Sequence, residues 1–187
     1  EREVYGVPDV RRTPCEQTGC CKRNRMTALI IFCAKYLFVA IPLILVWVFW
    51  QVSPVDRRTL LLRGVIVLIV AVVLAKGGGA LYNEPRPFVV QHVTPLVPHD
   101  ADNGFPSDHT LLCFACAFLL LPFSPRAVGP ALLIAATVGM ARIASLLHSP
   151  LDVIASILMA AVANIIAWKA VRNPPPANQN ADPTHCA

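Results

Sequence analysis

Apolar and polar residues occur along the chain in long alternating blocks. Five apolar runs, separated by shorter polar stretches, occupy residues 26–50, 60–82, 111–123, 127–147 and 151–171. All but the third reach the roughly 20 residues that a helix needs to cross a hydrocarbon core of about 30 Å. Because only helices and closed barrels satisfy their backbone polar groups in lipid, the pattern predicts an all-α integral membrane protein, a bundle of about five transmembrane helices.

The third run is short for a span. At about 1.5 Å per residue, a helix from His109 to Phe123 falls several ångströms short of the core thickness, so it is either buried among the others or begins below the headgroups. Lys35 and Lys76 lie inside predicted spans, where an ammonium group is costly unless it is paired or reaches the interface. Of the two, Lys76 is close enough to a helix end to reach the interface.

The polar blocks divide the chain into three parts. Residues 1–25 form a polar basic segment, 26–172 the membrane-embedded domain, and 173–187 a tail whose proline and polar content predicts disorder. A short basic turn, residues 51–59, is predicted between the first and second helices. Between the second and third helices lies a loop, 83–107, that is longer than a connection requires. Its five prolines and its polar groups of catalytic type predict that this loop has a defined shape.

The composition agrees with a membrane protein and limits its partners. Hydrophobic residues make up 56% of the 187 and charged residues only 14%, with a mean hydropathy of +0.58, whereas soluble domains carry about 25% charged residues. The formal charge of +5 comes largely from residues beside the first and last spans, which predicts anchoring to anionic lipid. No basic and aromatic groove is visible in the sequence, so nucleic acid is not an expected partner.

Seven cysteines are unevenly spread, and three of them, Cys15, Cys20 and Cys21, precede the first span. They lack the C-x2-C spacing and a histidine partner, which argues against a zinc site. Whether they form a disulfide or carry lipid is left open by the sequence. The segment has no apolar core of the signal-peptide type, and the apolar run after it has full span length.

Alternating helix directions bring one set of polar residues to one face of the membrane. The ends of the second and fourth helices and the starts of the third and fifth share that face, and they carry Arg86, Ser107, His109, Arg142, His148 and Asp152. A guanidinium fork binds phosphate oxygens bidentately and stays charged at any working pH. The first amides of the third helix, with Ser107 as N-cap, form an anion site. These residue types predict phosphoryl transfer.

Two histidines supply the reactive groups. His148 and Asp152 are spaced i, i+4, so on a common helical turn the carboxylate orients the imidazole as a nucleophile. His109 then serves as general acid to the leaving group and as general base for water. Taken singly, each residue also has a structural explanation, as an interfacial anchor or, for Asp108 and Asp152, as part of a helix cap. Their convergence on one face favours an active site.

Three motifs, "EPRPF", "PSDH" and "ARIASLLHSPLD" with its Arg-x5-His-x3-Asp spacing, resemble the type 2 phosphatidic acid phosphatase superfamily. The stretch "YNEPRPFVVQHVTPLVPHDADNGFPSDHT" resembles more narrowly the bacitracin-resistance type of undecaprenyl-diphosphate phosphatase, and the similarity covers about residues 60–171. The resemblance implies a helical lipid phosphatase of the plasma membrane, with its site and the long loop on the extracytoplasmic side. It also implies a phosphohistidine intermediate and neither a metal nor another cofactor.

Carried over residue by residue, the resemblance makes His148 the nucleophile, Asp152 its orienting partner and His109 the acid and base. The phosphate ligands that it implies are Arg86, Ser107, Arg142 and, in the same motif as Ser107, Asp108.

The chain departs from the family pattern at two positions. The lysine usually found seven residues before the arginine is replaced by Gly79. Whether Lys76, one helical turn earlier, replaces that lysine as a phosphate ligand is left open. Ala141 stands where a serine commonly precedes the second arginine, a change of small expected cost.

The activity implied by the resemblance is hydrolysis of undecaprenyl or another polyprenyl diphosphate to the monophosphate, with water as phosphoryl acceptor. This reaction recycles the lipid carrier of cell-wall peptidoglycan synthesis and is the basis of bacitracin resistance. Alternatives are a phosphatase of phosphatidic acid or phosphatidylglycerophosphate, a lipid phosphotransferase, and a non-catalytic transporter or anion- and lipid-binding subunit. The spans exclude soluble phosphatases with the same signature, and the sequence does not predict the oligomeric state.

The charge distribution agrees with an extracytoplasmic site except at the N-terminus. Such a site places Arg57, Arg58, Arg126 and Lys169 in the cytoplasm, as the positive-inside rule prefers. With five spans it also places the basic segment 1–25 outside, against that rule. A first helix lying in the interface, a further span upstream, or N-terminal charges overridden by the rest would each resolve the conflict.

Overall fold

The computed structural model of the protein describes residues 25–171. Its elements in chain order are α1 (Arg25–Lys35), a 3-10 turn (Leu37–Val39), α2 (Ala40–Gln51), α3 (Pro54–Leu81), α4 (Pro87–Val90), α5 (Asp108–Leu119), α6 (Pro125–Ala144) and α7 (Pro150–Ala170). In that range, β structure is limited to one isolated bridge between Pro85 and Asn103, and the all-α prediction is confirmed. The predictions about Cys15, Cys20, Cys21 and the tail lie outside the described residues.

Three helices, α3, α6 and α7, are long and apolar enough to cross a membrane. α1 and α2 make a fourth span if they are counted together, although the chain bends by 44° between them. α5 has 12 residues and is too short by itself. Most of its side chains are buried, so α5 lies among the other helices, which is one of the two arrangements predicted for it. The count of five spans stays a prediction.

The predicted first helix, 26–50, is not continuous. It ends at Lys35, and a 3-10 turn leads into its second half. The Lys35 ammonium lies 5.2 Å from the centroid of the Tyr36 ring, a cation–π contact that gives this charge a partner at the break. The break also frees the carbonyl of Ala34 from the helical ladder, and this carbonyl accepts a hydrogen bond from Arg142 Nη1 at 3.4 Å.

Ser-Pro pairs start all three of the long helices. Ser53, Ser124 and Ser149 are the N-caps of α3, α6 and α7, and each is followed by a proline whose fixed φ suits the first helical position. Ser53 and Ser149 also accept a hydrogen bond from the amide three residues later. The interpretation of residues 51–59 as a basic turn is therefore wrong, since α3 begins at Pro54 and carries the basic residues in its first turns.

Small residues allow the helices to approach closely. The fully buried alanines of α6 and α7 are Ala131, Ala135, Ala160, Ala163 and Ala167. Near the end of α3, a Cβ atom on Gly78 would lie 2.8 Å from Met159 Cε and 3.1 Å from the Phe105 ring. Close packing therefore accounts for Gly78 in the "GGG" stretch, whereas a Cβ on Gly77 would meet nothing within 4 Å.

The helix directions alternate as the sequence predicts. At one end of the bundle, the Phe88 amide donates to the Leu146 carbonyl after α6 at 3.1 Å, and the Ser107 amide before α5 donates to Ser156 Oγ of α7 at 3.0 Å. At the other end, Arg63 of α3 donates to the carbonyl of Val171, which follows α7. The predicted polar residues therefore gather at one end.

Candidate active site

His148 is held in the turn between α6 and α7 and is only 3% exposed. Leu146, with φ at 57°, reverses the chain after α6. Ser149 then caps α7 in a capping box with Asp152. The prediction that His148 and Asp152 share a helical turn is wrong, because the Ser149–Pro150 pair starts the helix only after the histidine.

The contacts of His148 define which ring nitrogen carries its proton. Nδ1 lies 2.8 Å from the carbonyl oxygen of Gly104, which can only accept, so Nδ1 is the donor. Nε2 lies 3.1 Å from Nη2 of Arg142 and 3.5 Å from Nη1 of Arg86, which can only donate. The neutral imidazole therefore presents the electron pair of Nε2 to two guanidinium groups.

Asp152 supports the turn more directly than it supports the imidazole. Its Oδ2 accepts from the Ser149 amide at 2.7 Å and lies 3.5 Å from His148 Nδ1. The Gly104 carbonyl makes the shorter contact with that nitrogen, and the sequence reasoning missed it. The only signal was a glycine next to "FPSDH", a position that lets another backbone approach. A Cβ there would lie 3.2 Å from the Glu84 carbonyl oxygen.

Arg86 is buried and fixed by the long loop. Nη1 donates to the Leu147 carbonyl at 3.0 Å, Nε to Asp102 Oδ1 at 2.7 Å and Nη2 to the Asn103 carbonyl at 3.4 Å. These contacts hold the guanidinium in one orientation beside His148, so little side-chain entropy remains to be lost when an anion binds.

Asn103 fastens the long loop to the end of α3. Its Oδ1 accepts from the amides of Glu84 and Phe105, both at 3.0 Å. Its Nδ2 donates to the carbonyls of Gly79 at 2.9 Å and Tyr82 at 3.0 Å. Four hydrogen bonds from one side chain give the loop the defined shape that its prolines predict.

The pKa values of two loop residues, Asp102 and His99, are lowered beside the arginine cluster. The hydrogen bond from Arg86 holds the pKa of Asp102 below its usual value. Burial lowers the pKa of His99, and the nearby charges of Arg86 and Arg142 lower it further. The Asp102 carboxylate is therefore ionised where it holds Arg86, and the surroundings of the two arginines favour an anion.

Ser107 occupies the predicted N-cap position of α5, but its hydroxyl does not cap the helix. The hydroxyl lies 2.9 Å from Thr110 Oγ1, and the Ser107 carbonyl accepts from Ser156 Oγ at 3.1 Å. Because no side chain caps α5, its first amides stay available to a ligand at the positive end of the helix dipole.

Arg142 joins the bent first helix to the site. Its guanidinium is buried between His148 on Nη2 and the Ala34 carbonyl on Nη1, while Nε is buried without a hydrogen-bond partner among the described residues. The break after α1 thus provides an acceptor that fixes the second arginine.

The remaining predicted residues lie at the edge of this cluster. His109 is half-buried, with its ring perpendicular to that of Phe38 at a centroid distance of 4.6 Å. Asp108 and Lys76 are exposed, and no hydrogen bond or ion pair joins either to the cluster within residues 25–171. The structure therefore brings together Arg86, Arg142, His148 and Asp152, and places Lys76 outside.

An apolar groove of about 790 Å³ runs along α2, α3 and α5. Its wall is made mainly by aliphatic side chains of α3 and α5, with Leu45 and Phe49 of α2 on the other side. Lys76 and Asp108 line it too, near the end of α3 and the start of α5. The groove therefore approaches the site at the end where its only charged residues lie.

The donor set suits an anion better than a metal. The described residues contain no group of three or more histidine, cysteine, aspartate or glutamate side chains able to hold a metal ion. The free electron pair of His148 faces guanidinium groups, which repel a cation.

Fold and site together define an all-α membrane protein with a buried histidine and arginine cluster for an anionic ligand. The chain belongs to the PAP2 superfamily, whose family model matches residues 58–175, and the predicted family is thereby confirmed. The match includes all the candidate site residues.

Curated relatives extend this similarity over most of the chain. The bacitracin transport permease protein BcrC of Bacillus licheniformis is 35% identical, covering 79% of this chain and 73% of the relative. The undecaprenyl-diphosphatase BcrC of Bacillus subtilis (strain 168) is 33% identical, with 77% and 74% covered. The putative undecaprenyl-diphosphatase YbjG of Escherichia coli (strain K12) is 31% identical, with 78% and 75% covered.

A solved structure shares the fold. The crystal structure of Aquifex aeolicus LpxE matches with a TM-score of 0.64 and 24% identity, covering 80% of this chain and 88% of that one.

Proposed function

We propose that the protein is a lipid phosphatase that hydrolyses undecaprenyl diphosphate to undecaprenyl monophosphate and inorganic phosphate. The observation that carries the proposal is the unprotonated Nε2 of His148 between the guanidiniums of Arg86 and Arg142. The substrate is chosen because two of the similar proteins are named as undecaprenyl-diphosphatases, one of them as putative. The product is the lipid carrier of cell-wall peptidoglycan synthesis in its recycled form.

The terminal phosphate binds between the arginines. Arg86 and Arg142 donate to its oxygens, and the first amides of α5, after Ser107, donate to them as well. When the phosphate enters, the guanidinium groups move their hydrogen bonds from Nε2 of His148 to the phosphoryl oxygens. They then stabilise the charge that spreads over these oxygens in the transition state.

The first chemical step transfers the phosphoryl group to His148. Nε2 uses its electron pair to form a bond to phosphorus while the bond from phosphorus to the bridging oxygen breaks, and undecaprenyl monophosphate leaves. The proton on Nδ1 stays in place. Gly104 and Asp152 stabilise the positive charge that develops on the ring, through the contacts at 2.8 Å and 3.5 Å.

The second step hydrolyses the phosphohistidine and regenerates the free enzyme. His109 protonates the departing lipid phosphate in the first step and then takes a proton from water. The water oxygen attacks phosphorus, the bond to Nε2 breaks, and inorganic phosphate leaves. The Phe38 ring beside His109 limits its rotation and keeps it at the start of α5.

The apolar groove accommodates the polyprenyl tail. A volume of about 790 Å³ with an almost entirely apolar wall suits an isoprenoid chain that stays in the bilayer. Lys76 lies at the site end of this groove, where its ammonium meets the phosphate nearest to the lipid, and Asp108 lies beside it. Lys76 is therefore a ligand of the phosphate that leaves with the lipid, not of the phosphate that is transferred.

The site faces the extracytoplasmic side of the plasma membrane. Arg57, Arg58, Arg126 and Lys169 all lie near helix ends opposite the cluster, where positive residues favour the cytoplasm. The released phosphate then needs no path across the membrane.

A panel of three lipids tests the substrate. We expect the purified protein to hydrolyse undecaprenyl diphosphate with a kcat/KM about tenfold or more above that for phosphatidic acid and phosphatidylglycerophosphate, a difference of about 1.4 kcal/mol in transition-state binding. Phosphate release is measured with His148→Ala as the blank. A higher kcat/KM for either phospholipid would assign the other substrate class, and no turnover of any would contradict the phosphatase.

Gly104 offers a test of how the nucleophile is oriented. A Cβ there would lie 3.3 Å from Arg86 Cγ and 3.5 Å from Asp152 Oδ2, so Gly104→Ala displaces the carbonyl that holds His148. We expect kcat for undecaprenyl diphosphate to fall about 100-fold, the cost of a misplaced reacting group. Gly77→Ala, where a Cβ meets nothing within 4 Å, is the matched control and keeps its activity. Equal activity of the two variants would contradict the role of this carbonyl.

A further inference from the structure

The end of the bundle opposite His148 contains a buried charge that the phosphatase reaction does not use. Arg63 of α3 is 2% exposed, and its Nε and Nη2 donate to the Val171 carbonyl at 3.1 Å and 2.8 Å. The Phe123 ring lies 5.6 Å from its guanidinium carbon. Between His148 and Val171 runs the 21-residue helix α7, about 30 Å long, so Arg63 is remote from the catalytic cluster.

One nitrogen of the Arg63 guanidinium, Nη1, takes no part in the contact with Val171. Nη1 is buried and has no hydrogen-bond partner among residues 25–171. Because the Nε and Nη2 edge of the guanidinium is turned to Val171, Nη1 is directed away from it. A buried donor on a charged group is costly without a partner, and the acceptor that best matches it carries negative charge.

Arg63 also lines a cavity of about 540 Å³. The apolar part of the wall is formed by Phe118, Leu121, Ala161, Ile165 and Trp168. Leu121, Ile165 and Trp168 are more than half exposed at the lipid-facing surface, so the cavity opens towards the bilayer. Asn164 lines it as well, but its Nδ2 is used on the Ala115 and Ala160 carbonyls, which leaves Arg63 as the charged donor for a ligand.

We propose that this cavity binds one anionic phospholipid from the leaflet opposite the catalytic site. The phosphate accepts from Arg63 Nη1, an acyl chain lies against Phe118 and Ile165, and Trp168 lies at headgroup level, as indole rings do at membrane interfaces. The occupant is a phospholipid because one cationic donor at the end of an apolar cavity matches an amphipathic anion. Free phosphate would leave the apolar wall unpaired. The proposal is independent of the phosphatase reaction.

The test uses the full chain in nanodiscs that contain equal amounts of phosphatidylglycerol and phosphatidylcholine, followed by native mass spectrometry. We expect one retained phospholipid, with phosphatidylglycerol favoured about fivefold, as one additional charge contact at the membrane surface provides. Arg63→Gln keeps a donor for the Val171 carbonyl but removes the charge, and its preference falls to about one.

A cavity-filling variant keeps the test decisive if Arg63→Gln does not fold. Ala161→Phe fills part of the cavity and leaves Arg63 itself unchanged, and we expect it to lose the retained phospholipid. Val162→Phe is the matched control, since Val162 is on the same helix, is 44% exposed and does not line the cavity. It retains lipid as the wild type does.

Three results in the mass spectra would overturn this proposal. They are equal retention of the two lipids by the wild type, unchanged retention in Ala161→Phe, and loss of a dimer instead of a lipid in that variant, which would make a second copy the occupant. Protection of the wild type, but not of Arg63→Gln, from thermal unfolding by inorganic phosphate alone would likewise replace the phospholipid by a free anion. Phosphate release from undecaprenyl diphosphate is measured on the same variants, so failure of the lipid site leaves the phosphatase proposal untouched.

Discussion

We expect His148→Ala to lower kcat for phosphate release from undecaprenyl diphosphate by about 10⁴-fold or more, as loss of a covalent nucleophile does elsewhere. The loss is this large because no other described imidazole lies between the two guanidiniums. The alanine keeps the Ser149 and Asp152 capping box of α7, so the helix start does not depend on the lost side chain. Thermal unfolding of the purified variant measures whether its fold is as stable as that of the wild type.

The phosphoenzyme provides the sharper measurement. Wild-type protein quenched during turnover of lipid labelled in the terminal phosphate retains label that is stable to base and labile to acid, as a phosphohistidine is. His148→Ala retains none. His92→Asn is the control, because His92 is exposed and its backbone, with φ at 54°, suits asparagine. Label of the same amount on His148→Ala and wild type would place the nucleophile on another residue.

The sequence was sufficient to bring the site residues together because alternating helices allow few arrangements. Once the apolar runs are read as spans, Arg86, Arg142 and His148 must lie near one end of the bundle, and the structure places both guanidinium groups within 3.5 Å of His148 Nε2. Side chains carry this signal, since ionisable residues at membrane depth are rare and are functional candidates when several of them converge.

Backbone acceptors carry no comparable signal. The carbonyls of Gly104 and Ala34, which hold His148 and Arg142, are invisible in a sequence because every residue has a carbonyl. Their positions depend on how the long loop and the break after Lys35 pack. The sequence therefore predicted the histidine and arginine side chains that the structure brings together, while the backbone groups that orient them were found only in the folded chain.

Local rules and hydrophobicity gave conflicting predictions at the helix boundaries. The apolar run 26–50 is uniform enough to predict one span, yet α1 and α2 differ in direction by 44° because tertiary contacts at Phe38 and Ala34 outweigh propensity. At residues 51–59 the reverse holds. The Ser53–Pro54 pair predicts a helix start by local rules, whereas the polarity of the stretch alone predicts a turn, and the structure follows the local rules.

Variants of the two histidines are expected to be blocked at different steps of the reaction. The lipid monophosphate that leaves in the first step is a good leaving group, because the second pKa of a phosphate ester is about 6. It departs without much help from an acid. Water, in contrast, must lose a proton as it attacks the phosphohistidine, so the second step depends more strongly on His109.

We therefore expect His109→Gln to lower kcat by about 10² to 10⁴-fold, the usual range for a general base, and to accumulate phosphoenzyme while it does so. Rapid-quench labelling measures both the burst of undecaprenyl monophosphate and the label on the protein. The double variant His109→Gln with His148→Ala is the control and retains no label, which assigns the accumulated species to His148. If His109→Gln turned over slowly without any accumulation, its defect would lie before phosphoryl transfer, and the role of base for water would have to be given to another residue.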